Sequence, residues 1–511
     1  MRRGFRAAAV AACGLSLTVL TPIQAAAEVA QPLRAEAEGA MQTLVGGECK
    51  TVPGAFDPVV TDAGFRGFDA ETRSAILGGA AMCAISGGDV KAAYRYARLG
   101  ADEPSADGAI WSVRFSLALA NAEPADAVQS FHVLAAKYPQ ALGELDDNLI
   151  LAAYQSLAST PAPDAQRLRF LDALRAGRWS PQDPMDTGAA LRLEHVRLLL
   201  AANRAPAAAA EAAALNEPFS LLALRIDERF APARPAAAAD LRRAARDSLK
   251  RVTVASSAAP DRLSGPMAMA ELHLMLNEPE TALRVVDAAL ERHRKGGDSA
   301  FLDAERNLNW ARDLRAQALF ALGRWDDGLE AMAEGAQTQE DGAENFSQTV
   351  NLAGALTFAG RPQEALAALD AVNDDLLTDD GRAWVESART CALAASRDAD
   401  AASAAAAKAD ALGPRNFGAR THARLCVNDL DAAAKLYVAR LADPEHRLEA
   451  LLALQTYQVD AAVEATAPTA WGAERRSQLA RLRARPDVLA AVAAAGGRIG
   501  AVEIVDVHGR L

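Results

Sequence analysis

The chain has 511 residues, with 54 Lys and Arg against 66 Asp and Glu and a formal net charge of −12. That length exceeds one compact core, so several domains or an elongated array are expected. Hydrophobic residues make up 51% and aromatics only 5%, which favours helices with small side chains at their contacts; the acidic balance, interleaved with arginine, argues against nucleic-acid binding, which needs a basic face.

The N-terminus reads as an export leader. Arg2, Arg3 and Arg6 form a positive start, Ala7 to Leu20 is an apolar run, Pro22 ends it, and Ala25-Ala26-Ala27 precedes Glu28. This is the pattern of a secretory signal with cleavage near Ala27. Losing residues 1–27 removes three arginines and no acid, taking the charge from −12 to −15. A competing pattern, Val10-Ala11-Ala12-Cys13-Gly14, resembles the lipobox of acylated lipoproteins, but the apolar run before Cys13 is short and continues past it. The expected location is periplasmic or secreted. No later stretch has the ~20 uncharged apolar residues of a spanning helix.

Residues 28–75 match no repeat. From residue 76 a punctuation recurs: a turn residue, then at +2 an aromatic, proline or aliphatic residue, at +5 a small one and at +9 an apolar one. Gly88 leads to Val90, Ala93 and Ala97, and Ala122 to Pro124, Ala127 and Phe131. Asn277 leads to Pro279, Ala282 and Val286; Gly323 to Trp325, Gly328 and Met332; Gly360 to Pro362, Ala365 and Leu369. Arg397 leads to Ala399, Ala402 and Ala406, and Asn428 to Leu430, Ala433 and Tyr437. Gly88 and Ala122 are 34 residues apart, Gly323, Gly360 and Arg397 follow at 37, and Asn428 lies 31 beyond Arg397. Ahead of these turns, Ala270, Ala316 and Ala353 sit mid-segment, and Trp111 lies 11 residues before Ala122. Leu199 to Asn203, followed by an alanine run, looks like a degenerate copy.

This punctuation resembles the tetratricopeptide repeat, a helix–turn–helix unit of about 34 residues. Gly328 and Gly335 stand where the family has alanines. The resemblance implies an all-α fold, an α-solenoid of tetratricopeptide-like helix pairs with degenerate central repeats. The expected organisation is a leader over 1–27, a non-repeat segment over 28–75, repeats over 76–140, degenerate helical repeats over 141–265, repeats over 266–445, and a helical cap and tail over 446–511. Ala501 to Val507 alternates as a short strand does. In the family, first helices line a concave groove. Carried across, the groove positions are Trp310, Asp313, Gln317 and Phe320; then Val350, Thr357 and Phe358; then Trp384 and Ser387. The lysine and asparagine set with which some members clamp a peptide carboxylate is missing.

Cleavage of the leader removes Cys13 and leaves two sequence-local pairs, Cys49 with Cys83 and Cys391 with Cys426, separated by 34 and 35 residues. In an oxidising compartment such pairs can be bridged; the alternative is four buried cysteines acting as small apolar residues. The sharper expectation is a Cys391–Cys426 bridge, because both fall on first helices of consecutive units. His422 and Cys426 share a helix face with Cys391 nearby, a spacing that helix faces meet by chance, so no metal is expected.

There is no HExxH, GxSxG elbow, P-loop or GxGxxG opening a helix after a strand. Arg292 to Gly296 is a basic helix end suited to the dipole and a glycine cap. The expected function is therefore non-catalytic binding of a protein or peptide partner, with no cofactor, no nucleic acid and no spanning segment in the mature chain; oligomeric state is left open. Two rivals stand beside it: an outer-membrane-anchored assembly factor, and an envelope enzyme with its site in 28–75 or 446–511.

Overall fold

The computed structural model describes residues 29–52, 54–160, 162–186, 188–339, 345–413, 416–458 and 470–507. The expected leader, its cleavage point and Cys13 lie outside these residues. Two compact units divide at Gln182 and Asp183, within the stretch expected as one degenerate block.

The first unit runs α1 Gln31–Val45, α2 Asp57–Thr61, α3 Ala70–Ser86, α4 Val90–Ala101, α5 Gly108–Ala120, α6 Pro124–Lys137, α7 Pro139–Gly143, α8 Asp147–Ser156 and α9 Pro163–Ala176. The second begins with α10 Ala189–Ala201, α11 Ala205–Ala212, α12 Pro218–Ile226 and α13 Leu241–Ala258. Five helix pairs follow: α14 Ser264–Met275 with α15 Pro279–Gly296, α16 Ala304–Ala321 with α17 Trp325–Ala336, α18 Phe346–Phe358 with α19 Pro362–Asp370, α20 Asp379–Ala395 with α21 Ala399–Leu412, and α22 Phe417–Cys426 with α23 Leu430–Ala442. The tail adds α24 Arg447–Ala453, β1 Thr456–Gln458, α25 Ala470–Arg483, α26 Pro486–Ala494 and β2 Ala501–Val505.

One local device makes every pair. The turn residues Gly88, Ala122, Asn203, Asn277, Gly323, Gly360, Arg397 and Asn428 all have φ between 58° and 81°. In each case the next residue's N–H returns to the carbonyl five residues back, as in Asp89 to Ala84 at 2.9 Å, Arg324 to Leu319 at 2.9 Å and Arg361 to Leu356 at 2.8 Å. This is the Schellman closure of a helix C-terminus, which needs one left-handed residue. The residue after it is the N-cap of the partner helix; Asp89, Asp398 and Asp429 accept from the N–H three residues on, at 2.9, 3.1 and 3.0 Å. Proline opens α6, α15 and α19, where its missing N–H costs nothing.

The small residue at +5 then sits at the helix–helix contact. Ala93, Ala127, Ala208, Ala282, Ala365 and Ala433 are all 0% exposed, as are Ala270, Ala316 and Ala353 on the facing helices. The copy at Asn203 makes the same turn as the others, with Arg204 N–H reaching the Leu199 carbonyl at 2.8 Å, so it is degenerate in sequence and regular in geometry.

The described residues between 29 and 69 pack on α3. Phe56 and Phe68 are buried there, and Cys49 is disulfide-bonded to Cys83 with Cα atoms 5.0 Å apart. In the second unit the tail returns to the unit's first helices. β2 pairs in parallel with β1, α12 packs on α24, and the Glu503 carboxylate accepts from Arg225 Nη1 at 2.8 Å and from the Leu241 N–H at 2.9 Å. Val507 is buried in the same core as α16 and α18.

Candidate partner-binding groove

The common turn puts the first helices α14, α16, α18, α20 and α22 in the same phase, so the residues 13, 10, 6, 3 and 2 places before each turn share one face. Trp310, Asp313, Gln317 and Phe320 occupy such places on α16, and Trp384, Ser387, Cys391 and Ala395 do on α20. His422 and Cys426 do so on α22. The array is a tetratricopeptide-like solenoid.

The solenoid buries two of the four proposed groove aromatics inside itself. Phe320 is 1% exposed and Phe358 3%. Both rings stack on Trp325, with centroids 4.9 and 5.4 Å away, so Trp325 ties one pair to the next and neither phenylalanine is a partner anchor. Asp313 and Gln317 are also buried, as are Thr357, whose hydroxyl donates to the Ala353 carbonyl at 2.7 Å, and Ser387, whose hydroxyl donates to the Ala419 carbonyl at 2.8 Å. Trp310 and Val350 are half-buried. Trp384 alone of the named aromatics is exposed, at 39%. Gly418 on the next first helix makes room for it, since an added Cβ there would lie 3.0 Å from the indole.

Sequence reasoning missed what covers the other end of this face. Helix α25 lies across it. Gly472 sits so close to Phe358 that a Cβ would come within 2.5 Å of the ring, and the Arg476 guanidinium stands 5.9 Å over the same ring. Trp471 joins Thr357, Pro362, Gln363, Ser396 and Arg397 around an open pocket of about 320 Å3. Arg475 Nη1 donates to the His422 carbonyl at 3.2 Å and to Cys426 Sγ at 2.9 Å. The sequence signal was present in the run Trp471-Gly472 with Arg475-Arg476, but that run reads equally well as a solvated helix face.

Cys391 and Cys426 are disulfide-bonded across α20 and α22, with Cα atoms 4.9 Å apart. His422 Nδ1 lies 3.4 Å from Cys391 Sγ and 3.0 Å from the Ser387 hydroxyl. Burial, reinforced by the Arg475 charge, pushes the His422 imidazole down to about 3, which makes it a poor general base for nucleophilic chemistry. Among the described residues, these two cysteines and His422 are the one group of three ligand-type side chains whose donor atoms converge, within 4.8 Å. Bonded sulfurs carry no negative charge for a cation, and a guanidinium at 2.9 Å opposes one. A second cavity, of about 500 Å3 in the first unit, is lined by Gln129, His132, Lys137, Gln166 and Arg169 among apolar residues. Among the described residues no acid lines it to work with these bases.

No protein-family model matches the chain, and no curated protein matches it. Solved structures similar to it include the tetratricopeptide domain of P58(IPK), at 13% identity over 89% of this chain and 100% of that one, with a TM-score of 0.20. The Cut9–Hcn1 hetero-tetramer of the APC/C is similar at 13% identity over 91% of this chain and 90% of that one, with a TM-score of 0.28. Naa15/Naa10 bound to HypK-THB follows at 12% identity over 91% and 96%, with a TM-score of 0.21. The repeat assignment stands on the chain's own turns.

Proposed function

We propose that the protein is an exported scaffold of the periplasm or cell exterior that holds a protein or peptide partner on the first-helix face of its second unit, without turnover. The observation that carries this reading is Trp384, an indole left 39% exposed on the shared face of a helix-pair array whose other named aromatics are buried or half-buried. An exposed aromatic on such a face is the kind of residue on which binding energy concentrates. Trp310, at the equivalent place two pairs earlier, extends the same edge, while α25 covers the opposite end. The leader pattern at Arg2 to Ala27 supports export, and two bridges, each closing a short span of chain, fit an oxidising compartment.

Crosslinking in the producing cell followed by mass spectrometry tests the partner, with Trp384→Ala as the contrast. The substitution is expected to weaken capture at least tenfold with helicity unchanged. Equal capture removes Trp384 as the anchor, and a large loss of thermal stability reassigns it to the core. Terminal sequencing of the same protein is expected to begin near Glu28; an intact Met1 overturns export, and palmitate incorporation assigns the anchored form.

A further inference from the structure

Among the described residues, Arg475 is a cation without a carboxylate. Among the described residues no Asp or Glu lies within ion-pair distance of it, and its guanidinium spends its hydrogen bonds on the His422 carbonyl and on Cys426 Sγ. The residue as a whole is half-buried, and burial of its guanidinium pulls the pKa down to about 10. A desolvated charge is costly unless an opposite charge meets it. A disulfide sulfur is a weak, neutral acceptor; a thiolate at the same place is a full counter-ion. The other groups facing Cys426 add no rival charge: His422 on its own helix is held neutral, Cys391 from α20 is its bonded partner, and Tyr437 from α23, beside Arg475, is held protonated by burial.

We infer that Cys391–Cys426 is a redox-reactive site, whose reduced form is a Cys426 thiolate paired with Arg475 of α25, and that its natural reductant is the dithiol of a thiol–disulfide oxidoreductase. The leaving sulfur in an exchange is the one best stabilised as thiolate. One thiolate of the dithiol therefore attacks Cys391 Sγ, the Cys391–Cys426 bond breaks, and the electron pair leaves on Cys426 in front of Arg475. The second thiol of the reductant, deprotonated, then attacks its own sulfur in the mixed disulfide. Cys391 leaves and takes a proton, and the dithiol departs as a disulfide, having supplied two electrons. Among the described residues no cation stands within hydrogen-bond distance of either sulfur of Cys49–Cys83, which makes that bridge the built-in control. Because the Arg475 contact is made only when α25 is docked, anything that favours the reduced pair also favours the docked helix, by reciprocity.

The test uses the full oxidised chain equilibrated in graded dithiothreitol buffers, each disulfide being quantified by differential alkylation and mass spectrometry; equilibration makes burial a matter of rate only. Arg475→Gln is expected to make Cys391–Cys426 at least tenfold harder to reduce, a shift of about 30 mV, leave Cys49–Cys83 unmoved, and be rescued in part by Arg475→Lys. In Cys391→Ser, the alkylation midpoint of Cys426 is expected well below the ~8.5 of a free thiol and to rise when Arg475→Gln is added. An unchanged equilibrium in Arg475→Gln overturns the proposal. So does a Cys426 midpoint at or above that of a free thiol. Stoichiometric zinc uptake by the reduced protein, abolished by His422→Ala, overturns it too by making the cluster a metal site.

Discussion

Ala122 and Arg397 hold the left-handed turn position, with φ of 60° and 65°, that Gly88, Gly323 and Gly360 hold elsewhere. A side chain there costs roughly 1–2 kcal/mol, while glycine loses about 0.5–1 kcal/mol more backbone entropy on folding. Ala122→Gly is therefore expected to stabilise the first unit by about 0.5–1 kcal/mol, and Gly323→Ala to destabilise the second by about 1 kcal/mol; denaturant melts of both variants check the opposite signs. Gly328 answers a different need. It departs from the alanine that the repeat pattern favours because the Phe320 ring fills the place of its side chain, 2.4 Å from where a Cβ would stand. Gly328→Ala is expected to cost about 1–3 kcal/mol through overpacking, and a double variant with Phe320→Leu should recover part of it. Equal melting of wild type and Gly328→Ala would mean the ring moves freely, which its stack on Trp325 argues against.

Between elements, each unit has one disulfide, and the first unit adds a buried charge cluster. Arg114 of α5, 6% exposed in its side chain, reaches Asp126 of α6 at 2.6 Å and Asp102 at 3.0 Å, and Tyr94 of α4 donates to Asp126 at 2.9 Å. Burial raises the Asp126 pKa, but the hydrogen bonds from Arg114 and Tyr94 outweigh it and hold the carboxyl below its ordinary value. A folded pKa below the unfolded one means stability that is complete above about pH 4 and is lost as pH falls through the folded value. Asp126→Asn is expected to lower stability at neutral pH and to flatten that acid limb; a limb of the same slope would show that other carboxylates produce it. In the second unit α20 and α22 belong to pairs with alanine-rich second helices, where little side chain is available for packing. The Cys391–Cys426 bridge joins them at a separation of 35 residues, a loop whose closure contributes roughly 3–4 kcal/mol on the chain-entropy model. Peptide mapping without reductant should find the linked pair, and Cys391→Ser should lower the melting temperature. Two freely alkylated thiols in native protein would remove the bridge from the account.

In the second unit, taken whole, the tail ties the beginning of the array to its end. Glu503 accepts from Arg225 and from the Leu241 N–H, Gly496 accepts from the Glu228 N–H at 2.7 Å, and Gln455 Nε2 donates to the Arg498 carbonyl at 3.0 Å. In a linear repeat array each unit is held only by its neighbours, so an end unit lacks one, and this closure supplies contacts in its place. Glu503→Ala leaves the Arg225 guanidinium and a helix N–H without their acceptor, at about 1–3 kcal/mol. Hydrogen exchange is expected to quicken across α12, α13 and β2 together; quickening confined to β2 would show that the tail does not close the unit.

The helix pairs, their turns and their close contacts were legible because each is a local instruction: a residue tolerant of positive φ, an N-cap or proline, and a small residue five places on act within one helical turn of each other. That is why Ala93, Ala282 and Ala365 could be placed at contacts from the sequence. Even the alanine-rich copy at Asn203 kept the instruction that mattered, which was the turn rather than the side chains around it. The groove was legible as a face but not as a surface. Whether Phe358 meets a partner or a neighbour depends on Trp325 and Gly472, which lie 33 residues before it and 114 after it. Periodicity records which way a side chain points from its own helix and carries nothing about what a distant segment lays over it. Only the tertiary structure could bring Arg475 to Cys426 and Glu503 to Leu241, because burial and charge pairing are decided by the whole chain folding back on itself.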